Sequence, residues 1–166
     1  MIYCSICIPC FKRIEQVRCT LKSIFVDNAD VALDDYEVVI TDNDPKCEVK
    51  SVVEEFSLYP NLRYIPTDCE GFMNSYYALK KGRGELLKLH NSQNKIRSGL
   101  LKEIVKQVRD NLGSKPLIFH TNGLLYRNKI DVYHDFDSFM RALSYWSSWS
   151  GGMTIWKDDF DRLGDV

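Results

Sequence analysis

No window of this 166-residue chain approaches the run of ~18 to 20 apolar residues that spans a bilayer, and its amino terminus has no charged-then-apolar leader. Both absences point to the cytoplasm, with peripheral attachment at the inner membrane face through partners as the only membrane role expected. An excess of charge of one sign is also missing. Lys plus Arg number 22 against 23 Asp plus Glu, so no basic field draws the chain onto nucleic acid. Glycine is absent between Pro9 and Arg13, which sets aside a nucleotidyltransferase-like domain, since that needs a Gly-rich phosphate loop after its first strand. A second CxxC is absent as well. Cys4, Cys7 and Cys10 have metal-site spacing, yet on a strand side chains alternate faces, so Cys4 and Cys7 point apart. His90, His120 and His134 stand singly, and the six cysteines read as free thiols in a reducing compartment, with Cys10, just past the strand, the most exposed. There is no internal repeat and no low-complexity linker.

What is present is a core-forming composition, 45% hydrophobic, in a length suited to one domain. The organising stretch is Tyr36–Pro45: Val38, Val39, Ile40 and Thr41 run unbroken into Asp42, Asn43, Asp44 and Pro45. Such a run reads as a strand buried on both faces, with polar residues at its carboxyl end, the edge where open α/β sheets bind ligands.

Around it, strands and helices alternate. Tyr3–Pro9 is a first strand, and Ile14, Val17, Leu21, Ile24 and Phe25 form a helical stripe. A second helix is expected over Lys46–Phe56, a strand over Leu62–Ile65, a helix over Gly71–Lys81 and a strand over Glu85–Leu89. Ser98 is expected to cap a helix whose stripe is Leu101, Ile104, Val105, Val108 and Leu112. Pro116–Thr121 reads as a fifth strand, Leu124–Arg127 as an antiparallel one, Ser138–Trp146 as helical and Met153–Trp156 as a last strand. This alternation predicts an α/β fold with a mostly parallel sheet and right-handed crossovers.

Five stretches in register, SICIPCFKR at Ser5–Arg13, VVITDND at Val38–Asp44, LRYIP, Glu70–Glu85 and Leu86–Ile104, resemble family 2 glycosyltransferases of the GT-A fold. The resemblance covers about Ile2–Val108 and is thinner to Leu163. It implies one GT-A-like domain, residues 1–112 being a nucleotide-sugar-binding half and 113–166 a partial, truncated or short acceptor-side half. It also implies an enzyme moving sugar from a UDP- or GDP-sugar to a glycan or lipid-linked acceptor hydroxyl, by inversion, in cell-surface polysaccharide biosynthesis. Under it Pro9, Phe11, Arg13, Asp42 and Asn43 hold the nucleotide, Phe11 offering a ring face and Asp42 with Asn43 a base-reading edge. Asn74, Asn91, Ser92, Gln93 and Asn94 border the donor and its diphosphate.

The chain departs from the family at LHNSQN, residues 89–94. Ser92, Gln93 and Asn94, the last at the position of a DXD acid, replace the acidic triplet that binds Mg²⁺ or Mn²⁺. Metal is therefore expected to bind weakly or not at all, with Lys88, His90, Lys95 or Arg97 as replacement cations. Asp158 and Asp159 are the available stand-ins for the catalytic base, against the plainer reading of an acidic helix start. Tyr145, Trp146, Trp149 and Trp156 suit either a sugar-binding face or packing. The rival to an enzyme is a non-catalytic nucleotide- or glycan-binding domain with a degenerate metal site.

Overall fold

The structure is a computed structural model, and it describes residues 1–120, 130–143 and 150–164. Five strands, β1 (Cys4–Cys10), β2 (Tyr36–Asp42), β3 (Leu62–Pro66), β4 (Leu86–Leu89) and β5 (Thr154–Trp156), form one sheet in the order β3-β2-β1-β4-β5. The first four are parallel, and β5 lies antiparallel to β4. Six helices accompany them: α1 (Ile14–Phe25), α2 (Lys50–Glu55), α3 (Met73–Lys80), α4 (Leu100–Asp110), α5 (Phe136–Leu143) and α6 (Lys157–Arg162).

Every residue of β2 is buried, as its Val/Ile run implies for a strand inside a parallel sheet. Alternation along β1 sends Cys4, Ile6, Ile8 and Cys10 into the larger core, where the stripes of α1 and α4 meet them, and Cys7 into a smaller one with Ala78, Leu87 and Phe160. The strand runs one residue further than expected, so Cys10 is 1% exposed, and Cys19 on α1 is the exposed cysteine instead.

Other boundaries also moved. The helix expected over Lys46–Phe56 begins only at Lys50, because the Asp44 carboxylate accepts the Lys46 N–H and Cys47 takes a left-handed φ of 50°. Gly99, at φ 80°, rather than Ser98 stands at the start of α4. Pro116–Thr121 forms no strand over its described residues: Phe119 makes a single bridge to Met153, and the Trp156 indole donates to the Pro116 carbonyl at 2.7 Å. Trp156, at 3% exposure, is a packing residue. The expected Leu124–Arg127 strand and Tyr145, Trp146 and Trp149 lie outside the described residues. No helix among the described residues is long and apolar enough to cross a membrane.

Candidate functional site

The strand order reverses between β1 and β4, and the space beyond their carboxyl ends is the switch-point crevice where open α/β sheets bind ligands. Register sets its depth. Cys10 pairs with Asp42 and Asp42 with Pro66, whereas β4 stops at Leu89 opposite Cys7, leaving the crevice floor stepped.

Three loops reach this edge. The first is Phe11–Arg13, which has no glycine yet holds Lys12 at φ 60° and Arg13 at φ 64°. Two successive left-handed residues with side chains cost on the order of 1–2 kcal/mol each, strain that tends to persist where a loop must present particular groups. Phe11 is half exposed, with the Lys12 ammonium 5.0 Å from its ring centroid.

The second loop is the tip of β2. Asp42 is fully buried: one carboxylate oxygen accepts the Asp44 N–H at 3.0 Å and the other the Tyr64 hydroxyl at 2.8 Å. Burial raises its pKa above the usual carboxylate range, against those two hydrogen bonds. The neighbouring Asn43 is half-buried and closer to solvent; its N–H donates to the Cys10 carbonyl at 3.2 Å and its amide to the Cys69 carbonyl at 3.1 Å.

A clasp joins these tips. Asn74, 3% exposed on α3, directs its amide at the carbonyls of Cys10 (3.0 Å) and Thr41 (3.1 Å) and at the Asn43 side-chain oxygen (3.2 Å), and accepts the Thr67 hydroxyl. Its side chain is spent on holding β1, β2 and α3 together. Just before α3, Phe72 is 97% exposed.

The third loop follows β4. Its backbone is pinned from α1: the Thr20 hydroxyl lies 3.1 Å from the Ser92 carbonyl and 2.8 Å from that of Asn94, and the Ser23 hydroxyl accepts the Ile96 N–H. Asn28 continues the seam, donating to the carbonyls of Ser23 and Ile96 and accepting the Leu101 N–H. Sequence reasoning missed these three; the signal was Thr20 and Ser23, polar residues on the same stripe as Val17, Leu21 and Ile24. Ser92 is buried, Asn91 and Asn94 are half-buried, and Gln93 is exposed with its side-chain oxygen accepting from the Arg13 guanidinium at 3.0 Å. That hydrogen bond joins the loop after β1 to the loop after β4, across the crevice.

Two of the replacement cations fail. Lys88 is 3% exposed and donates to the Gly151 carbonyl at 2.7 Å; burial lowers its pKa to about 8. His90 is 2% exposed, and burial together with the Lys88 charge lowers its pKa to about 4, so it is neutral near pH 7. Nor are all the predicted residues brought together. Because β5 runs antiparallel, the Lys157 N–H bonds the Glu85 carbonyl at the amino edge, and Asp158 and Asp159 stand there with it, at the opposite end of the sheet from the crevice. Asp158 pairs with Lys115, and Asp159 with Arg162.

The loop is a poor fit for a divalent cation. Such ions want several oxygens, carboxylates above all; here the Ser92 and Asn94 carbonyls face Thr20, the Gln93 oxygen faces Arg13, and no group of three or more His, Cys, Asp or Glu suited to a metal occurs among the described residues.

A mostly parallel α/β sheet of this order, flanked by helices and with its loops gathered at the carboxyl edge, is the GT-A fold of glycosyltransferases. Residues 5–111, more than half of the chain, match the Glycosyl transferase family 2 pattern, and the chain belongs to that family. The fold is shared with S. aureus TarS 1-349 at 21% identity and TM-score 0.62, the match covering 80% of this chain and 38% of TarS 1-349. TarS 1-349 is also known in complex with UDP and with UDP-GlcNAc. The mannosyltransferase PcManGT from Pyrobaculum calidifontis, in complex with GDP-Man and Mn²⁺, matches at 16% identity and TM-score 0.67 over 97% of this chain and 46% of its own. The chain thus spans less than half the length of these proteins. No curated protein matches it.

Proposed function

We propose that the chain binds a nucleotide-sugar, UDP- or GDP-linked, as the donor half of an inverting glycosyltransferase acting on a glycan or lipid-linked acceptor in cell-surface polysaccharide biosynthesis at the cytoplasmic side of the membrane. The observation that carries this reading is the Asn74 clasp, which brings the Phe11 loop and the Asp42–Asn43 tip to one edge of the switch-point crevice. Phe11 covers the base with its ring, and Asn43 reads the base edge. Asp42, its oxygens already engaged, fixes the tip from behind with Tyr64. Pro9, the one half-buried residue of β1, lies below them, and the loop 91–94 faces the diphosphate.

In the transfer, an acceptor hydroxyl oxygen bonds to the anomeric carbon while the nucleoside diphosphate leaves with the electrons of the broken C–O bond, and the hydroxyl proton passes to a base. Asp158 and Asp159, at the far edge, do not supply that base in this arrangement. The neutral Ser92–Gln93–Asn94 loop favours a second reading, a binding module without turnover.

Calorimetry with UDP, GDP, CDP and their sugars, followed by an assay of donor hydrolysis, tests both. The proposal expects one nucleoside diphosphate bound at micromolar Kd with slow hydrolysis of its sugar. Binding without hydrolysis selects the module, and no binding of any nucleotide removes both readings.

A further inference from the structure

Family 2 enzymes are expected to hold the donor's diphosphate through a divalent cation on an acidic loop, and this chain's loop does not fit one. We infer that the Arg13 guanidinium, positioned by Gln93, takes the place of that cation and binds the diphosphate directly. The inference rests on the nucleotide-sugar reading above.

Three observations carry it. Arg13 and Gln93 come from the two loops that flank the switch point, and their 3.0 Å hydrogen bond crosses the crevice where the anion of a nucleotide belongs. The partner is an amide. A carboxylate at residue 93 would neutralise Arg13 and, in a metal-dependent site, would need the metal to turn the local charge positive again. Gln93 accepts a single N–H and leaves the charge whole, and no carboxylate pairs with Arg13 among the described residues. One of the five guanidinium N–H donors is used, and the remaining four stay available for the paired oxygens that phosphates present.

The third observation is position. Arg13 is exposed and sits at the start of the 12-residue α1, where no side chain caps the first turn, so the partial positive charge of the helix adds to its own. Its left-handed φ of 64° is held despite its cost. Of the other cations near the crevice, Lys88 is buried against Gly151 and His90 is buried beneath the loop, while Lys12, Lys95 and Arg97 are exposed; Arg13 is distinguished by its bond to Gln93 across the two loops.

The test measures uridine and UDP binding, with guanosine and GDP in parallel, by calorimetry and ligand-observed NMR in EDTA and again in Mn²⁺. The intact chain is expected to bind UDP or GDP within about twofold in the two conditions. Arg13→Ala weakens the diphosphate by about 10- to 100-fold, the worth of a lost charge-assisted pair, and leaves the nucleoside unchanged. Arg13→Lys recovers part of the loss. Gln93→Glu, of the same shape, ties up Arg13, weakens binding in EDTA by about tenfold, and makes binding respond to Mn²⁺.

A tenfold or greater gain on adding Mn²⁺ to the unaltered chain overturns the inference. So does an Arg13→Ala protein that keeps UDP or GDP affinity, or one that loses nucleoside and diphosphate alike, which marks a collapsed loop. If neither nucleoside nor diphosphate binds the unaltered chain, the donor reading itself fails.

Discussion

The two ends of the sheet solve the same problem, closing a row of parallel strand termini, with opposite chemistry. At the amino edge the closure is ionic, and Asn61 Oδ1 is the one buried polar atom left without a partner there among the described residues. Glu37, 2% exposed on β2, accepts the Ser5 hydroxyl at 2.7 Å and the Arg83 N–H at 2.5 Å on one oxygen, and the Arg63 guanidinium at 2.9 Å on the other. The Ser5 oxygen in turn accepts the Gly84 N–H at 2.7 Å. Gly84 is required there, because a β-carbon would meet the Ser5 nitrogen at 2.7 Å and the Cys4 carbonyl carbon at 2.8 Å.

At the carboxyl edge Asp42, Asp44 and Arg13 bond to neutral groups, and more polar atoms are left over. Amides and hydroxyls hold the loops, while the buried His90 Nδ1, Asn94 Nδ2 and Asp44 Oδ2 have no partner among the described residues. Three of the four described left-handed non-glycine residues, Lys12, Arg13 and Cys47, lie in its loops. Satisfied charge makes one edge a lock. Strain and unspent polar groups gather at the other, the edge to which the proposed function assigns the ligand.

Among substitutions, breaking the lock gives the largest effect. Glu37→Ala leaves the buried Ser5 hydroxyl and the Arg83 N–H without their acceptor and the part-buried Arg63 guanidinium with only the Lys81 carbonyl, and is expected to cost about 3 kcal/mol. Urea unfolding reads it directly. An unchanged midpoint means the knot is solvated and the contrast between the edges is false. Nucleotide affinity of the folded fraction stays the same, since nothing in the knot reaches the crevice.

Breaking the clasp costs less stability but moves binding. Asn74→Ala strips hydrogen bonds from the Cys10 and Thr41 carbonyls and the Asn43 side chain, and is expected to cost about 2 kcal/mol together with a nucleotide affinity lowered about tenfold or more. Asn74→Asp keeps the volume but cannot donate to those carbonyls, and should behave like the alanine variant. Stability lost without any loss of affinity separates the clasp from the site.

The lock and the clasp also mark what the sequence could tell. The Val38–Ile40 run and the stripes of α1 and α4 announced themselves because burial on a regular element leaves a period in the chain. Glu37 left none: a charge inside a strand reads as solvent-facing until Arg63 and Ser5, distant in the chain, are found opposite it. Asp158 and Asp159 went astray for a similar reason. The run into β5 was legible, but its antiparallel direction, which carries them to the amino edge, depends on pairing with β4. The crevice loops were placed correctly at the carboxyl edge, yet whether Asp42 faces out or in is settled by Tyr64 and the turn at Asp44, not by Asp42 itself.

Acid probes the carboxyl-edge histidine and its neighbour without any substitution. Burial, with the Lys88 charge behind it, lowers His90 to about 4 and His120 to about 3, both from 6.5. These are bases that the fold keeps neutral, so below pH 6.5 the unfolded chain binds protons that the native state does not. Stability contributed by neutrality is full above pH 6.5 and is lost as pH falls toward 4 and then 3. Between pH 7.5 and 5.0 a loss of about 4 kcal/mol, about 2 from each imidazole, is expected, and a His90→Gln, His120→Gln double variant flattens it. Equal urea midpoints for the unaltered chain at the two pH values contradict this.

The smallest effect probes the strain. Lys12 sits at φ 60°, where glycine carries no steric penalty, while glycine loses more backbone freedom on folding. The first effect, about 1 kcal/mol, slightly exceeds the second, so Lys12→Gly should raise stability by a few tenths to about 1 kcal/mol. The same change frees the Phe11–Arg13 loop that the left-handed pair holds in place and removes the ammonium from the Phe11 ring, and UDP or GDP affinity should fall severalfold. A protein that gains stability and keeps its affinity would show that the twist is an accident of packing. One that gains stability and loses affinity shows the loop held in a costly shape for its ligand, a feature the amino-edge knot, with its partners already in hand, does not need.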